Sequence, residues 1–282
     1  MASERNAVQQ HSDKVDPRKN QQPVEIAARL GYTVKGIIYG LIGVLALQTA
    51  LGTGGSTTGT SGALQNIASQ PFGSILLGIV GVGLLGYALW RFVEAAIDPD
   101  NEGSDAKGII KRLGYVGSGI IYGFLAFSAF QILMGSGGGG GDSTQTWTAW
   151  LMSQPFGQWL VGIAGLISIG IGLYRIYEGF AKKFKEKLNT AEMSQREETW
   201  ATRISQFGLA AHGVVLGLIG VFLLQAAWQA QPEEARGLGQ VLQELAEQPY
   251  GPWLLGIVAA GLVAYGIYSM VMGRYRRLNI EQ

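Results

Sequence analysis

Gln70-Pro71-Phe72-Gly73 decides the fold, because it returns as Gln154-Pro155-Phe156-Gly157 and again as Gln248-Pro249-Tyr250-Gly251, each time opening a long apolar segment. A second apolar segment lies ahead of each copy. The first one begins Arg29-Leu30-Gly31-Tyr32, and the second begins Arg112-Leu113-Gly114-Tyr115. One unit is therefore two apolar segments joined by a polar connection, and the chain uses this unit three times.

The composition is that of a membrane protein. Charged residues make up 15% of the 282, whereas soluble domains carry about a quarter. Six windows are almost free of charge, and each is long enough to cross about 30 Å of hydrocarbon at about 1.5 Å per helical residue. The sequence therefore predicts an all-α integral membrane protein. We expect six transmembrane helices, arranged as three two-helix repeats in a pseudo-threefold bundle, with short external amphipathic helices before each Gln-Pro signature.

The charge pattern also predicts the boundaries of the modules. We expect a disordered tail at 1–27, since this part is rich in Gln, Asn, Asp and Lys. The remaining predicted segments are module 1 at 28–98, a cytoplasmic linker at 99–110, module 2 at 111–181, a basic linker at 182–202, module 3 at 203–275, and a cytoplasmic tail at 276–282.

Basic residues are concentrated on one side of the predicted membrane. Of the 21 Lys and Arg residues, all except Arg236 lie in or beside the tails and the two linkers. By the positive-inside rule, both termini are predicted to be cytoplasmic.

Glycines recur on one face of the first helix of each module. Spacings of four residues place them on the same side of a helix, where a small residue lets two backbones approach closely in lipid. We predict that six of them pack against neighbouring helices: Gly36, Gly40, Gly119, Gly123, Gly213 and Gly217.

Two charged pairs lie at the inner ends of the second helices. Trp90-Arg91-Phe92-Val93-Glu94 is matched by Tyr174-Arg175-Ile176-Tyr177-Glu178, while the third copy has Ser269 and Met272 in place of the pair. The favoured interpretation is an arginine that reaches the lipid headgroups and is steadied by the glutamate one turn away. The alternative is an incomplete charged ring around a cytoplasmic vestibule.

Glutamines recur at the outer ends of the helices. One set stands near the end of each first helix, and the other stands beside the prolines of the signature. These sets are Gln48, Gln131 and Gln225, and Gln70, Gln154 and Gln248 beside Pro71, Pro155 and Pro249. We favour a structural role, in which the amides satisfy backbone groups of the loops. A ring of amides that selects a solute is the alternative.

His212 shares an aligned position with Lys35 and Ser118 in the other two copies. We expect it to hydrogen-bond to a neighbouring helix. The only other histidine is His11 and there is no cysteine, so no metal site is predicted from imidazole or thiolate ligands. No phosphate loop or nucleophile with its base is recognisable either, and we predict no cofactor and no enzymatic activity.

The repeated Arg-Leu-Gly-Tyr segment, the Gln-Pro-Phe-Gly turn and the Tyr-Arg-x-x-Glu helix end resemble those of the bacterial membrane-protein family known as domain of unknown function 1206. The resemblance extends over about residues 28–277. It implies three tandem two-helix modules in the bacterial inner membrane, and it brings no substrate and no catalytic residues with it.

The predicted function is that of a non-enzymatic multi-pass membrane protein with a structural or interaction role. The alternative is a small-solute or ion channel or transporter with a pathway along the pseudo-threefold axis. The expected partners are anionic membrane lipids at the cytoplasmic face, where four lysines alternate with phenylalanines between 180 and 187. The sequence identifies no protein partner, and it predicts no nucleic-acid binding.

The orientation is testable because the chain has no cysteine of its own. Single cysteines at Ser56, Ser143 and Gln231 should react with an impermeant thiol reagent added to intact cells, because these loops carry almost no basic residues. A cysteine at Ser104 should react only after permeabilisation. Labelling of the Ser104 variant in intact cells would contradict the orientation.

Overall fold

The structure is a computed structural model that describes residues 17–98, 103–136 and 143–276. Over these residues the regular elements are helices, as the composition predicts. The α-helices are α1 Pro17–Ala50, α2 Thr60–Ala68, α3 Gly73–Ile97, α4 Ala106–Leu133, α5 Ser143–Met152, α6 Gly157–Phe180, α7 Gln195–Gln229, α8 Leu238–Glu247 and α9 Gly251–Tyr275.

Six of these helices are long and apolar enough to cross a membrane: α1, α3, α4, α6, α7 and α9. The prediction of an all-helical chain with six candidate spans is confirmed. Each module has the same order of a long helix, a short helix and a second long helix. The short helices α2 and α8 bury one apolar side, which includes Leu64 of α2 and Leu242 of α8.

The Gln-Pro-aromatic-Gly signature forms a tight turn between the short helix and the second long helix. The backbone N–H of Gly73 donates to the carbonyl of Gln70 at 2.8 Å, and the other two copies repeat this bond. Phe72 has φ of +61°, and its counterparts Phe156 and Tyr250 are also left-handed. A Cβ on Gly73 would collide with the backbone of the short helix. The proline therefore lies inside the turn and ahead of the second long helix, which begins at the glycine of the signature.

Helices extend into segments that the sequence assigned to the tail and linkers. Within the predicted tail 1–27, α1 begins at Pro17, while residues 1–16 lie outside the described ranges. Both linkers end inside helices. Asp105 caps α4 through the N–H of Gly108, and Ser194 begins α7 with a capping box. These side chains satisfy N–H groups at the start of each helix, which lets the helix begin several residues before its apolar part.

The packing order of the long helices is cyclic. The second helix of each module packs along the first helix of the next, so that α3 contacts α4, α6 contacts α7, and α9 returns to contact α1. Within modules 1 and 3 the two long helices also pack together. In module 2, α4 and α6 have hardly any contact over their described residues. A pseudo-threefold bundle therefore stays a prediction, because one module is open where the others are closed.

Three of the six predicted packing glycines face a neighbouring helix directly. A Cβ on Gly36 would lie 2.6 Å from the carbonyl oxygen of Gly266 on α9, and one on Gly213 would lie 2.5 Å from the carbonyl oxygen of Gly172 on α6. A Cβ on Gly119 would lie 2.9 Å from the ring of Phe92. Close approach of the helices at these positions requires the absence of a side chain.

The predicted packing against a neighbouring helix is wrong for the Cβ positions of Gly40, Gly123 and Gly217. Among the residues that the structure describes, no atom of a neighbouring helix lies within 4 Å of the place where a Cβ would stand on any of them. Four residues advance an α-helix by about 40° beyond a full turn, which rotates these positions away from the contact. The backbone of Gly40 still lies near Gly266, but a side chain at residue 40 would point into open space.

Leucine at these two neighbouring positions should therefore have opposite effects. Gly36→Leu should lower the free energy of unfolding by about 3 kcal/mol, because the side chain would force α1 away from α9. Gly40→Leu should change it by less than about 0.5 kcal/mol. Thermal unfolding in detergent measures both, and equal losses would contradict the assignment of the contact to Gly36.

Candidate functional site

A buried carboxylate links three helices at the end of the bundle that holds residues 17 and 276, called the inner end here. Glu94 of α3 accepts a hydrogen bond from Arg91 at 2.7 Å and another from Arg276, which follows α9. Arg276 also donates to the hydroxyl of Tyr32 on α1. The side chain of Glu94 is 0% exposed and that of Arg276 is 3% exposed. This group ties the start of module 1 to the end of module 3.

The favoured interpretation of Arg91 as a headgroup anchor does not fit this geometry. The side chain of Arg91 is buried, and its Nε donates to the hydroxyl of Tyr87 at 2.9 Å. It turns inward because Glu94 is buried and needs a counter-charge. Arg175 and Glu178 form the matching 2.7 Å pair, with the arginine side chain 24% exposed. Arg276, which the sequence placed in the tail, is part of the core.

Lys35 of α1 lies inside a ring of tyrosines from four helices. Its Nζ is 5.2 Å from the ring centres of Tyr87 and Tyr265, 5.4 Å from that of Tyr122 and 6.0 Å from that of Tyr39. It donates one hydrogen bond, to the hydroxyl of Tyr87 at 3.2 Å. No carboxylate of the described residues pairs with it, so the negative faces of the aromatic rings act as its counter-charge.

Lys35 lies well inside the candidate membrane span of α1. It stands ten residues from the start of the candidate span Glu25–Ala50, which corresponds to about 15 Å along the helix. This distance is about half the thickness of the hydrocarbon core. A buried ammonium group at this depth marks a site of function or of specific structure.

His212 continues the same group of side chains towards α7. Its ring stacks on that of Tyr265 with centroids 3.9 Å apart, and its Nε2 lies 3.4 Å from the hydroxyl of Tyr39. This is the contact with a neighbouring helix that we expected. Together with the residues above it completes a polar column that runs from the inner end to mid-membrane: Glu94, Arg91, Tyr87, Lys35, Tyr39 and His212.

The glutamines do not form a ring. Gln70, Gln154 and Gln248 each donate to a residue four positions earlier, at 3.4 to 3.5 Å. Gln225 donates to Glu234 at 3.1 Å. Among the described residues, no hydrogen bond joins Gln48, Gln131 or Gln225 to the second set. The amides bind locally, which agrees with the structural role that we favoured.

Other kinds of site are not found in the described residues. These ranges contain no group of three or more His, Asp or Glu side chains that could hold a metal ion. A cavity of about 130 Å³ lies beneath α5 and is lined mainly by apolar side chains, among them Trp147, Trp150 and Leu223. It lacks the converging polar groups that a solute site needs.

The sequence model of a family described as Domain of Unknown Function (DUF1206) matches the chain three times in succession, at residues 30–98, 113–182 and 207–276. The chain belongs to this family. Each matched segment contains a long helix, a short helix and a second long helix, and the polar column draws its residues from the first and third segments. The family description assigns no chemistry to the column.

Uncharacterized protein YxxB of Bacillus subtilis (strain 168) is similar along nearly its whole length. It is 36% identical over 254 residues, which cover 90% of this chain and 92% of that protein. No solved structure matches this DUF1206 chain.

The tyrosines are the residues that the sequence analysis missed. The signal was present, because Tyr32, Lys35 and Tyr39 lie three and four residues apart and so share one helical face. Tyr39 is repeated as Tyr122 in the second module. A polar stripe of this kind inside an apolar helix indicates a buried polar core.

Removing the charge of Glu94 should cost much more stability than the same change at Glu178. Glu94→Gln removes the buried carboxylate that Arg91 and Arg276 share, so we expect a loss of about 3–5 kcal/mol. Glu178→Gln should cost less, because the single arginine beside it is partly exposed. Denaturant unfolding in detergent measures the difference. Equal losses near 1 kcal/mol would instead favour solvated pairs at the membrane surface.

Proposed function

We propose that this chain is a non-enzymatic structural or interaction protein of the bacterial inner membrane. The observation that carries the proposal is the filled interior of the bundle at mid-membrane. The rings of Tyr39 and Tyr265 lie 4.9 Å apart, and those of Tyr87 and Tyr122 lie 4.6 Å apart, both edge to face. Aromatic rings in this arrangement pack tightly and leave no open channel between them.

The charged side chains at the inner end support the same proposal. Arg91 and Arg276 both donate to Glu94, and all three side chains are almost completely buried. Such a network specifies how the modules fit together, because breaking a contact to Glu94 removes a charge partner in a medium of low dielectric constant. The network lies where the last module meets the first, and it holds these two modules together.

Cytoplasmic termini are part of the proposal. The inner end of the bundle carries the basic residues of the linkers, whereas Arg236 lies at the opposite end, in the connection between α7 and α8. Segments rich in Lys and Arg are retained on the cytoplasmic side during insertion.

A pathway for protons or ions is the second candidate, and the polar column favours it. Hydroxyl, ammonium and imidazole groups follow one another from Tyr87 through Lys35 and Tyr39 to His212. The Nδ1 of His212 has no hydrogen-bond partner among the described residues. Chains of ionisable groups inside a membrane serve as proton relays in pumps and transporters. The column ends at mid-membrane, however, and above it the first helices present apolar side chains.

Flux measurements separate the two candidates. In liposomes, the purified protein should show no proton or ion flux above that of empty vesicles, because the interior is filled. Lys35→Met should leave the flux unchanged. This variant tests the role of the polar column, because methionine is similar in length to lysine but carries no charge. A reproducible flux that Lys35→Met or Glu94→Gln abolishes would contradict the structural role and support a pathway.

A further inference from the structure

The third residue of each signature turn is aromatic, although the turn favours glycine at this place. In every copy the N–H of the last residue donates to the carbonyl of the first, and the third residue is left-handed. Turns of this kind usually have Gly or Asn there, because these residues adopt a positive φ most readily. The chain instead has Phe72, Phe156 and Tyr250, with φ of +61°, +61° and +65°.

These three aromatic rings stand outside the protein core. Phe72 is 79% exposed, and Phe156 and Tyr250 are each 81% exposed. An exposed ring adds little to the packing of the chain, and its positive φ is unfavourable for a bulky residue. The arrangement is nevertheless the same in all three modules, although the two long helices of module 2 pack differently from those of modules 1 and 3. The rings therefore indicate a contact with something other than this chain.

Each ring stands where a candidate membrane span begins. The spans Gly73–Ile97, Gly157–Phe180 and Gly251–Tyr275 start at the glycine that directly follows the aromatic residue. A second large apolar side chain is exposed two residues further on in every copy: Ile75, Trp159 and Trp253. The end of a span lies at the boundary between hydrocarbon and water, which is the level at which aromatic side chains are enriched.

Helix α7 gives an independent measure of this boundary. Its exposed apolar residues recur at every seventh position, which keeps them on one face of the helix. They are Trp200, Phe207, Val214, Val221 and Trp228. Trp200 and Trp228 are 67% and 90% exposed, and they lie about 42 Å apart along the helix. A bilayer with its headgroup regions is about 40–45 Å thick. The two tryptophans therefore mark its two interfaces.

The turn of module 2 lies at the level of Trp228. Gln158, the second residue of α6, donates to the carbonyl of Ala227 on α7 at 2.6 Å. Phe156 precedes Gln158 by two residues, and Trp228 follows Ala227 directly, so both aromatic side chains stand at the same end of the bundle. This is the end opposite to the inner end, and we call it the outer end. The level marked by α7 agrees with the level at which the spans begin.

We propose that the aromatic residue of each Gln-Pro-aromatic-Gly turn is a lipid anchor, which holds the outer end of the bundle in the headgroup region of the bilayer. An aromatic ring is favourable at this depth, whereas in water its apolar surface would be exposed. The three anchors belong to three different helices and so define a plane. They therefore fix the tilt of the bundle as well as its depth. The inference is independent of the structural role proposed above and of which end is cytoplasmic.

Spin labels test the position of the rings, because the chain has no cysteine of its own. Single nitroxide-labelled cysteines replace Phe72, Phe156 and Tyr250 in protein embedded in lipid nanodiscs. Oxygen collects in the hydrocarbon and a nickel chelate stays in water, so the accessibility of a label to each gives its depth. Ser56, in the exposed connection after α1, is the aqueous reference, and Val82, exposed on α3, is the hydrocarbon reference.

The three labels should lie between the two references and at one depth, within about 5 Å, which is one helical turn. Labels that are as accessible to the nickel chelate as the label at residue 56 would overturn the proposal. The rings would then stand in water and would be a surface for a protein partner.

Removal of a ring tests whether it anchors the helix. The label is now placed at aligned isoleucines of the second helices, each more than half exposed: Ile79, Ile163 and Ile257. Phe72→Asn keeps the turn, since Asn tolerates a positive φ, and it replaces the ring with a polar group. The label at residue 79 should then move towards the outer surface by about 3 Å, the rise of two helical residues. The label at residue 257 should move less, because Tyr250 is still present.

Phe72→Trp is the matched control. It retains an aromatic ring at the same exposed place, so the label at residue 79 should keep its depth. Both variants are expected to fold, because the side chain of Phe72 is exposed. Equal depths in the Asn and Trp variants would contradict the anchor. So would an unchanged depth of all three labels in the triple variant Phe72→Asn, Phe156→Asn and Tyr250→Asn.

Discussion

Direct contact between glycine backbones closes this bundle. Gly36 and Gly266 approach so closely that a Cβ on either one would lie 2.6 Å from the carbonyl oxygen of the other. Gly213 and Gly172 repeat the contact between α7 and α6. Helices in lipid gain little from burying apolar side chains against one another, so contact at van der Waals distance is what holds them together. These pairs form two of the three junctions between modules, and at the third, between α3 and α4, Gly119 faces the ring of Phe92.

Closure of the bundle creates the environment that the charged residues require. Once α9 lies against α1, Arg276 reaches Glu94 of module 1, although the two residues are distant in sequence. Module 3 has lost its own pair, since Ser269 and Met272 stand at the aligned positions. The C-terminal arginine thus supplies a charge that the repeat no longer encodes. Arg91 binds one carboxylate oxygen of Glu94, and Arg276 binds the other. The buried carboxylate therefore depends on both arginines.

The sequence predicts the elements of this fold better than their contacts. The charge-free windows are sufficient to predict the six long helices, because the length of a membrane span is set by the thickness of the hydrocarbon. The direction of Arg91 is different, since an arginine near a helix end can reach the headgroups or the interior with the same local sequence. The burial of Glu94 decides between these two directions. That burial depends on Arg276, which lies beyond the last helix. The tyrosine ring could have been predicted from the shared face of Lys35 and Tyr39.

The distinction between Gly36 and Gly40 could not be predicted from spacing. Both belong to the same row of glycines, and only the crossing point of α1 with α9 determines which of them faces the neighbour. The same limit applies to module 2. Gly114 matches Gly31 and Gly208 of the other modules, but the residue that should meet it on α6 is Ile171 in place of a tyrosine. A contact between helices needs compatible residues on both sides, and the sequence of either helix alone does not reveal a missing partner.

The unequal second module bears on any function that needs three equivalent sites. Lys35 and His212 occupy aligned positions and are buried, whereas the third aligned residue, Ser118, is only half-buried. The polar column thus draws its residues from modules 1 and 3, while module 2 contributes Tyr122 to the ring of tyrosines around Lys35. A solute pathway on a threefold axis would require the three modules to present similar groups to it. Three copies of one unit have instead diverged into two that enclose a polar interior and one that opens to the membrane.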